Sequence, residues 1–210
     1  RNQSFIDRAK QGADMGDIDI IFMGDSITHQ WETAGAPVWS EFYSERKVVN
    51  FGIGGDRTQH LLWRIQNGNV EGLANPKAGH APKLVVMMIG TNNSNGDDHT
   101  AAEIAEGIKA CVTAVREKLP ETKVLLLSIF PRGEQPSPQR EKNAEASRMA
   151  AAIADDKMVF HLDLTDRFVE PDGAIKKEIM PDFLHLSEEG YRRWAGGMEA
   201  KVAELLGEGN

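Results

Sequence analysis

The chain alternates short, continuous apolar runs with longer segments in which apolar residues recur at helical spacing. Five such runs occur, over residues 18–23, 47–51, 83–89, 123–130 and 157–162. Because they are continuous and do not alternate with polar residues, they are typical of strands buried on both faces of a parallel sheet. The pattern therefore predicts five parallel strands.

Helical patterns separate these runs. Between the third and fourth runs, apolar residues recur with a period of about 3.6 from Ile104 to Leu119, and Pro120 closes the segment. Cys111 lies on this apolar stripe, so we expect a buried thiol with a structural role. A last helix is predicted after Ser187, whose side chain suits an N-cap position.

This alternation predicts a three-layer α/β/α fold with right-handed crossovers. No repeat or change in composition divides the 210 residues, so we expect one domain over residues 1–210. Residues 131–143 contain three prolines and one glycine, which predicts a long loop after the fourth strand. A linker is the alternative interpretation, but too little chain follows it to form a second domain.

Composition and charge narrow the range of partners. The chain is 40% hydrophobic and 27% charged, as in a soluble globular protein, and its formal net charge is −8. Nucleic acid and anionic membrane surfaces are therefore not expected partners, since both bind basic patches. No apolar run approaches the ~20 residues that span a bilayer, so no integral membrane segment is predicted. The first residue is Arg1, which is compatible with a removed leader, and the compartment, cytoplasmic or secreted, stays open.

The ends of the first three strands carry candidate chemistry. Ser26 follows the first strand in "GDS", where a serine acts either as a helix cap or as a nucleophile. Thr28 stands where the G-x-S-x-G pattern requires glycine, which disfavours an ordinary α/β-hydrolase. The second strand ends in the glycines of "NFGIGGD", which suit either a tight turn or backbone N–H donors. The third ends in Asn92 and Asn93, whose amides suit either a turn or an oxyanion donor.

An acid and a base lie near the C-terminal helix, in "PDFLHLSEEGY". Asp182 and His185 are three residues apart, a spacing at which a carboxylate can reach the imidazole and fix its tautomer. The acidic "NGDDH" after the third strand lacks a full calcium-loop pattern, so a solvated turn is expected there. No histidines show metal-ligand spacing, and we expect no comparable setting for the remaining five, which lie at positions 29, 60, 80, 99 and 161.

Together the blocks "GDS", "NFGIGGD", "GTNN" and "DFLHL" resemble those of the SGNH (GDSL-type) hydrolases. Through "NFGIGGDRTQHLLWRIQNG", "PRG" and "REKN", the chain is most similar to the branch of platelet-activating-factor acetylhydrolase α-subunits. The resemblance implies a flavodoxin-like sheet, no metal and no organic cofactor. It implies a Ser26 nucleophile, with Asp182 and His185 as the other triad members.

The same resemblance implies an oxyanion hole. Its donors are the backbone N–H groups of Ser26 and Gly55 and the amide of Asn92. Gly55 is chosen over Gly54 because it directly precedes Asp56 in the block, although a shift by one residue stays open.

We therefore expect a serine carboxylic ester hydrolase that removes short acyl groups, most simply acetyl, from an acetylated carbohydrate or a small ester. Phospholipid deacetylation is an alternative, as are a non-catalytic binding module and an assembly subunit, and a homodimer is compatible with each. Ile27 and Leu184 flank reacting side chains in sequence, so we expect them to wall the acyl pocket and bind substrate. The alternative is that both only pack in the core.

Overall fold

The computed structural model describes residues 1–15, 18–73 and 80–208. Five parallel strands form one sheet in the order β2-β1-β3-β4-β5. The strands are β1 (Ile20–Gly24), β2 (Val48–Gly52), β3 (Leu84–Met88), β4 (Lys123–Leu127) and β5 (Val159–Leu162). In register, Ile20 of β1 pairs with Val48 on one side and Leu84 on the other. Parallel pairing places the carboxyl ends of all five strands at one edge of the sheet.

Seven α-helices connect and flank the strands within the described residues. They are α1 (Asn2–Met15), α2 (Ser26–His29), α3 (Ala36–Tyr43), α4 (Thr58–Arg64), α5 (Ala101–Lys118), α6 (Pro138–Ala151) and α7 (Glu188–Leu206). Short 3-10 turns cover Gln30–Glu32, Thr91–Ser94 and Thr165–Arg167, and a π-type turn covers Ile65–Asn69. None of these helices is both long and apolar enough to cross a bilayer.

The helices bury the sheet on both faces. Alternate side chains along the strands, such as Ile21 and Val85, point to one face of the sheet and pack with α1, α4, α5 and α6. The side chains on the opposite face, such as Phe22 and Val86, pack with α2, α3 and α7. Because every residue of β1 and β3 is buried, these strands can be apolar without interruption. The three-layer α/β/α sheet predicted from the sequence is confirmed.

The helix predictions hold at α5 and α7. Thr100 and Glu103 form a capping box at the start of α5, and the Ser187 hydroxyl accepts a hydrogen bond from Gly190 N–H at the start of α7. Cys111 is buried as expected, and burial raises the pKa of its thiol to about 12.

The loop predicted over residues 131–143 is wrong from Pro138 onward, where α6 begins. The Ser137 hydroxyl caps this helix by accepting a hydrogen bond from Arg140 N–H. Pro138 occupies its first turn, where a missing N–H costs nothing and the fixed φ favours the helix. The loop after β4 is therefore shorter than expected.

Candidate active site

Ser26 lies directly beyond the end of β1. Asp25 follows the strand, and Ser26 is the first residue of α2. The Asp25 side chain caps this helix, because its Oδ1 accepts a hydrogen bond from Ile27 N–H over 3.0 Å. Asp25 is buried while Ser26 keeps part of its surface exposed, so the capping role belongs to the aspartate and leaves the serine hydroxyl available.

The loop before α7 brings an acid and a base to this hydroxyl. His185 Nε2 lies 2.9 Å from Ser26 Oγ, and His185 Nδ1 lies 2.7 Å from Asp182 Oδ2. The second oxygen of Asp182 accepts the backbone N–H groups of Leu184 and His185 over 3.0 and 2.7 Å. The backbone therefore orients the carboxylate, and the carboxylate orients the imidazole.

Phe183, between the acid and the base, adopts φ of 59°, the left-handed region that is unfavourable for a bulky residue. Two backbone hydrogen bonds hold it there: its N–H donates to Met180 O, and its carbonyl accepts Gly133 N–H over 2.7 Å. Strain of this kind costs on the order of 1–3 kcal/mol and collects at functional sites. The loop after β4 thus fixes the turn that carries Asp182 and His185.

Two carboxyl groups lie near the imidazole, and their environments shift their pKa values in opposite directions. Burial tends to raise the pKa of Asp182, but hydrogen bonds from the His185 ring and from two backbone N–H groups outweigh burial and hold it below its ordinary value. Burial raises the pKa of Asp25 from 3.8 to about 7, against smaller opposing effects of the Ile27 N–H and of His185. Asp182 is therefore the ionised partner of His185, and Asp25 is the carboxyl that favours its neutral form.

The glycine-rich loop after β2 lies beside Ser26. Gly52 has to be glycine, because a Cβ there would lie 2.3 Å from His29 N. A Cβ at Gly54 would lie 3.9 Å from Ser26 Cβ. The Gly54 N–H donates to His29 Nδ1 over 3.3 Å, whereas Gly55 N–H has no hydrogen-bond partner within the described residues. Of these two amides, that of Gly55 is the one left unengaged.

Asn92 lies on the 3-10 turn after β3 and is tied to the same loop. Its Nδ2 donates to Asp56 O over 2.9 Å, which leaves a second amide hydrogen. Asp56 is itself held by a buried ion pair with Arg64, whose nitrogen lies 2.7 Å from the carboxylate. Asn93 is buried and turned away, because its Oδ1 accepts Thr58 N–H. The two neighbouring asparagines therefore differ: Asn93 braces α4, and Asn92 lies half-buried at the site.

Ile27 and Leu184 belong to the same apolar cluster, on the α7 face of the sheet. Ile27 is 1% exposed, and its carbonyl accepts the Tyr191 hydroxyl over 2.6 Å. Leu184 is only half-buried, so it retains surface that a ligand can contact. Of the two, Leu184 has the larger accessible face next to His185.

Sequence patterns did not single out His29 or Arg64, although both contact the glycine loop. Arg64 also reaches Asn69 Oδ1 and Gly24 O, so it joins the loop to the end of β1. His29 was not expected to belong to the site, yet it contacts the glycine loop, because its Nδ1 accepts Gly54 N–H. The available signal was its position, three residues after Ser26, which places both residues on one turn of helix.

Two other histidines have structural contacts away from this site. His80 Nε2 lies 3.0 Å from Ile18 O, before the start of β1, and His161 Nε2 lies 3.0 Å from Ser128 Oγ. Over the ranges that the structure describes, no group of three or more His, Cys, Asp or Glu side chains is arranged to hold a metal ion.

Related proteins show a similar sequence or fold. The chain is 40% identical over 192 residues to platelet-activating factor acetylhydrolase IB subunit alpha1 of Homo sapiens, covering 90% of this chain and 77% of that protein. Two solved structures share the fold. A GDSL-like lipase from Bacteroides thetaiotaomicron has a TM-score of 0.71 and 19% identity over 95% of this chain and 98% of its own. A catalytic mutant of an acetylxylan esterase from Geobacillus stearothermophilus has a TM-score of 0.67 and 19% identity over 90% and 94%.

Residues 22–193 match the model of the GDSL-like lipase/acylhydrolase family, a span that contains Ser26, the glycine loop, Asn92, Asp182 and His185. The chain therefore belongs to the GDSL-like lipase/acylhydrolase family and is a carboxylic ester hydrolase.

Proposed function

We propose that this protein hydrolyses short-chain, and specifically acetyl, esters through an acyl-enzyme formed on Ser26. The observation that carries the proposal is the continuous chain of contacts from Ser26 Oγ through His185 to Asp182, over 2.9 and 2.7 Å. A serine hydroxyl is a weak nucleophile unless a neighbouring base takes its proton as it attacks.

In the first half of the reaction, His185 Nε2 removes the proton from Ser26 Oγ, and the oxygen attacks the ester carbonyl carbon. The carbon–oxygen double bond opens to an oxyanion. When the tetrahedral intermediate collapses, the bond to the alcohol breaks, and the alcohol oxygen takes the proton from His185. Asp182 stays ionised throughout and stabilises the imidazolium, which agrees with the lowered pKa of its carboxyl.

In the second half, His185 removes a proton from water, which attacks the acyl carbon. Collapse breaks the bond to Ser26 Oγ, releases the carboxylic acid, and returns the proton to the serine. The oxyanion of both halves accepts hydrogen bonds from Ser26 N–H, Gly55 N–H and the Asn92 amide. The unengaged Gly55 N–H and the second hydrogen of Asn92 Nδ2 support this assignment.

The proposal of an acetyl group rests on two observations. Relatives that are about 40% identical bear the name acetylhydrolase. Leu184, next to His185, is half-buried and keeps accessible apolar surface, which supports a wall beside the acyl group, and Ile27 packs in the same apolar cluster at 1% exposure. For the alcohol half, an acetylated carbohydrate or small ester is one candidate. The name of the relatives supports an acetylated phospholipid of the platelet-activating-factor type as the other.

One experiment tests the reaction and separates the two candidates. Acetylated xylo-oligosaccharide, a 2-acetyl ether phospholipid and p-nitrophenyl acetate are incubated in parallel with the wild type and with Ser26→Ala. We expect hydrolysis of the phenyl ester and of one natural class, and a loss of several orders of magnitude in Ser26→Ala with an unchanged circular dichroism spectrum. A folded Ser26→Ala variant that turns over near the wild-type rate would remove Ser26 from the mechanism.

The quaternary state is a separate proposal. The curated relatives are named as subunits, which supports assembly of this chain as a homodimer or with another chain. Light scattering coupled to size exclusion tests it directly. A mass near 23.2 kDa at micromolar concentration would exclude a stable homodimer.

A further inference from the structure

His29 contacts the glycine loop from the side of the nucleophile. It is the last residue of α2, and its Nδ1 accepts the Gly54 N–H over 3.3 Å. A Cβ built at Gly54 would lie 3.7 Å from His29 Nδ1 and 3.9 Å from Ser26 Cβ. His29 and Ser26 therefore border the same glycine, although only one of them belongs to the triad proposed above.

The exposed part of the loop has few other supports. At its beginning, Ile53 N–H donates to Gly24 O, and Asp56 N–H donates to Ile53 O across the turn over 3.2 Å. At its end, Asp56 is held by Arg64 and by the Asn92 amide. Between these points, Gly54 and Gly55 are exposed, and Gly55 adopts φ of 81°. Among the described side chains, His29 makes the one hydrogen bond to this exposed pair.

His29 is itself held in place at its main chain. Its carbonyl accepts Asn50 Nδ2 over 3.2 Å, and Asn50 Oδ1 accepts Gly52 N–H over 2.9 Å. The Arg1 guanidinium donates to Gly52 O over 2.8 Å and forms an ion pair with Glu32. The His29 main chain is thus fixed against the end of β2, and this fixes the position from which the imidazole contacts Gly54.

An imidazole nitrogen accepts a hydrogen bond only while it carries no proton. Burial lowers the pKa of His29, the Arg1 charge adds to this effect, and Glu32 opposes it. These are the charged groups that act on His29, one directly before α1 and one from the turn after α2. His29 is therefore neutral at neutral pH, with its hydrogen on Nε2 and Nδ1 free to accept.

We propose that His29 is a positioning residue: by accepting Gly54 N–H it fixes the Ile53–Gly54 peptide, so that the next N–H along the chain, that of Gly55, faces the developing oxyanion, and it releases this peptide when it is protonated in acid. The inference rests on the proposed function for the role of Gly55. It predicts that the oxyanion hole loses this support in acid, as His29 gains a proton.

Two variants of His29 separate positioning from bulk. In His29→Asn, Oδ1 takes the place of Nδ1 as an acceptor and does not titrate, whereas His29→Ala removes the acceptor. His80→Ala is the matched control, because His80 is likewise half-buried and its ring also contacts a backbone group, the Ile18 carbonyl, but it lies at the opposite end of β1. We expect His29→Ala to lower kcat by roughly 3- to 10-fold, with a smaller change in KM, since one hydrogen bond contributes about that factor.

His29→Asn is expected to restore kcat to within about twofold of the wild type at pH 8, because the asparagine oxygen replaces the imidazole nitrogen as the acceptor of Gly54 N–H. The ratio of kcat for His29→Asn to that of the wild type should then rise as the pH falls, since only the wild type loses the acceptor. A ratio that stays flat through the pH range in which the His29 ring itself titrates, or an alanine variant with wild-type kcat, would overturn the inference. So would equal kcat values for the asparagine and alanine variants at pH 8.

A second measurement does not depend on activity. In protein labelled with ¹³C and ¹⁵N, the Gly54 amide signal should shift with pH together with the His29 ring carbons, and this shift should be absent in His29→Asn. If Ser26→Ala is inactive and the Gly54 signal does not follow His29, the inference fails while the proposed function stands. If Ser26→Ala retains full activity, the proposed function fails, and the catalytic role of His29 fails with it.

Discussion

The buried carboxyl of Asp25, directly before Ser26, should make the protein less stable as the pH rises, and Asp25→Asn should remove this loss of stability. Asp25 is 1% exposed, its Oδ1 caps α2, and its Oδ2 has no hydrogen-bond partner within the described residues. Burial raises its pKa from 3.8 to about 7. Asparagine has the same shape and keeps an Oδ1 that can accept Ile27 N–H, but it does not ionise.

The sign follows from which state holds the proton. Below pH 3.8 the carboxyl is protonated in both the folded and the unfolded chain, and its titration has no effect. As the pH rises from about 4 to about 7, the unfolded chain ionises while the folded one stays neutral, so the free energy of unfolding falls. One pKa unit corresponds to about 1.36 kcal/mol, which gives a total loss of about 4 kcal/mol by pH 8. More than half of this loss accumulates between pH 5 and pH 8.

The assay is urea unfolding of the wild type and Asp25→Asn, followed by tryptophan fluorescence at pH values from 5 to 8. Other titrating groups are common to both proteins, so the difference between their unfolding free energies isolates Asp25. Asp155→Asn is the control, because backbone hydrogen bonds lower the pKa of Asp155 to about 2 and its contribution is constant over this range. Parallel stability curves for the wild type and Asp25→Asn would refute the assignment of a neutral, buried Asp25.

Two further predictions concern turnover. Asn92→Ala should lower kcat by roughly 10²–10³ with less effect on KM, since that is the typical cost of removing one oxyanion donor; steady-state kinetics showing only a KM defect would make Asn92 a ground-state binder. Activity should fall steeply from acetate to butyrate to octanoate esters of one alcohol, because a steric clash discriminates more strongly than one missing methylene, which is worth about 1–3 kcal/mol. Leu184→Ala or Ile27→Ala should flatten this profile by removing the clash. A wild type that prefers octanoate would contradict the small acyl pocket.

The sheet was predictable because its central strands are buried on both faces, which leaves uninterrupted apolar runs in the sequence. The same reasoning located Ser26 and Asn92, since parallel strands end at one edge. The start of α6 was missed for a local reason. Three prolines suggested a loop, yet Ser137 before Pro138 is a capping signal that outweighs them.

Other features depend on contacts distant in sequence. His29 meets Gly54 only because Gly52 allows α2 to approach the end of β2 within the space of a missing Cβ. The distinction between Gly54 and Gly55 likewise depends on which amide already has an acceptor. No spacing rule contains this information, because it is set by how two separate strand ends pack together.

The allocation of charge around His185 leads to a last prediction. In the proposed reaction, negative charge develops on the substrate oxygen beside Ser26, and positive charge develops on the imidazole. An ionised Asp182 stabilises the imidazolium, whereas a charge on Asp25, buried next to Ser26, would repel the oxyanion in a medium that screens poorly. The fold keeps the first carboxyl exposed and charged, and buries the second in its neutral form.

Amide replacements of the two residues should therefore have opposite consequences. Asp182→Asn should lower kcat by about 10⁴, because the amide favours the wrong tautomer of the imidazole and carries no charge. Asp25→Asn should keep kcat within about tenfold of the wild type at pH 6, below the Asp25 pKa of about 7, because an uncharged cap replaces an uncharged cap there. Steady-state hydrolysis of p-nitrophenyl acetate measures both values of kcat. Equal losses in the two variants would mean that Asp25 acts in its ionised form, and that the proposed division of charge between the two carboxyl groups is wrong.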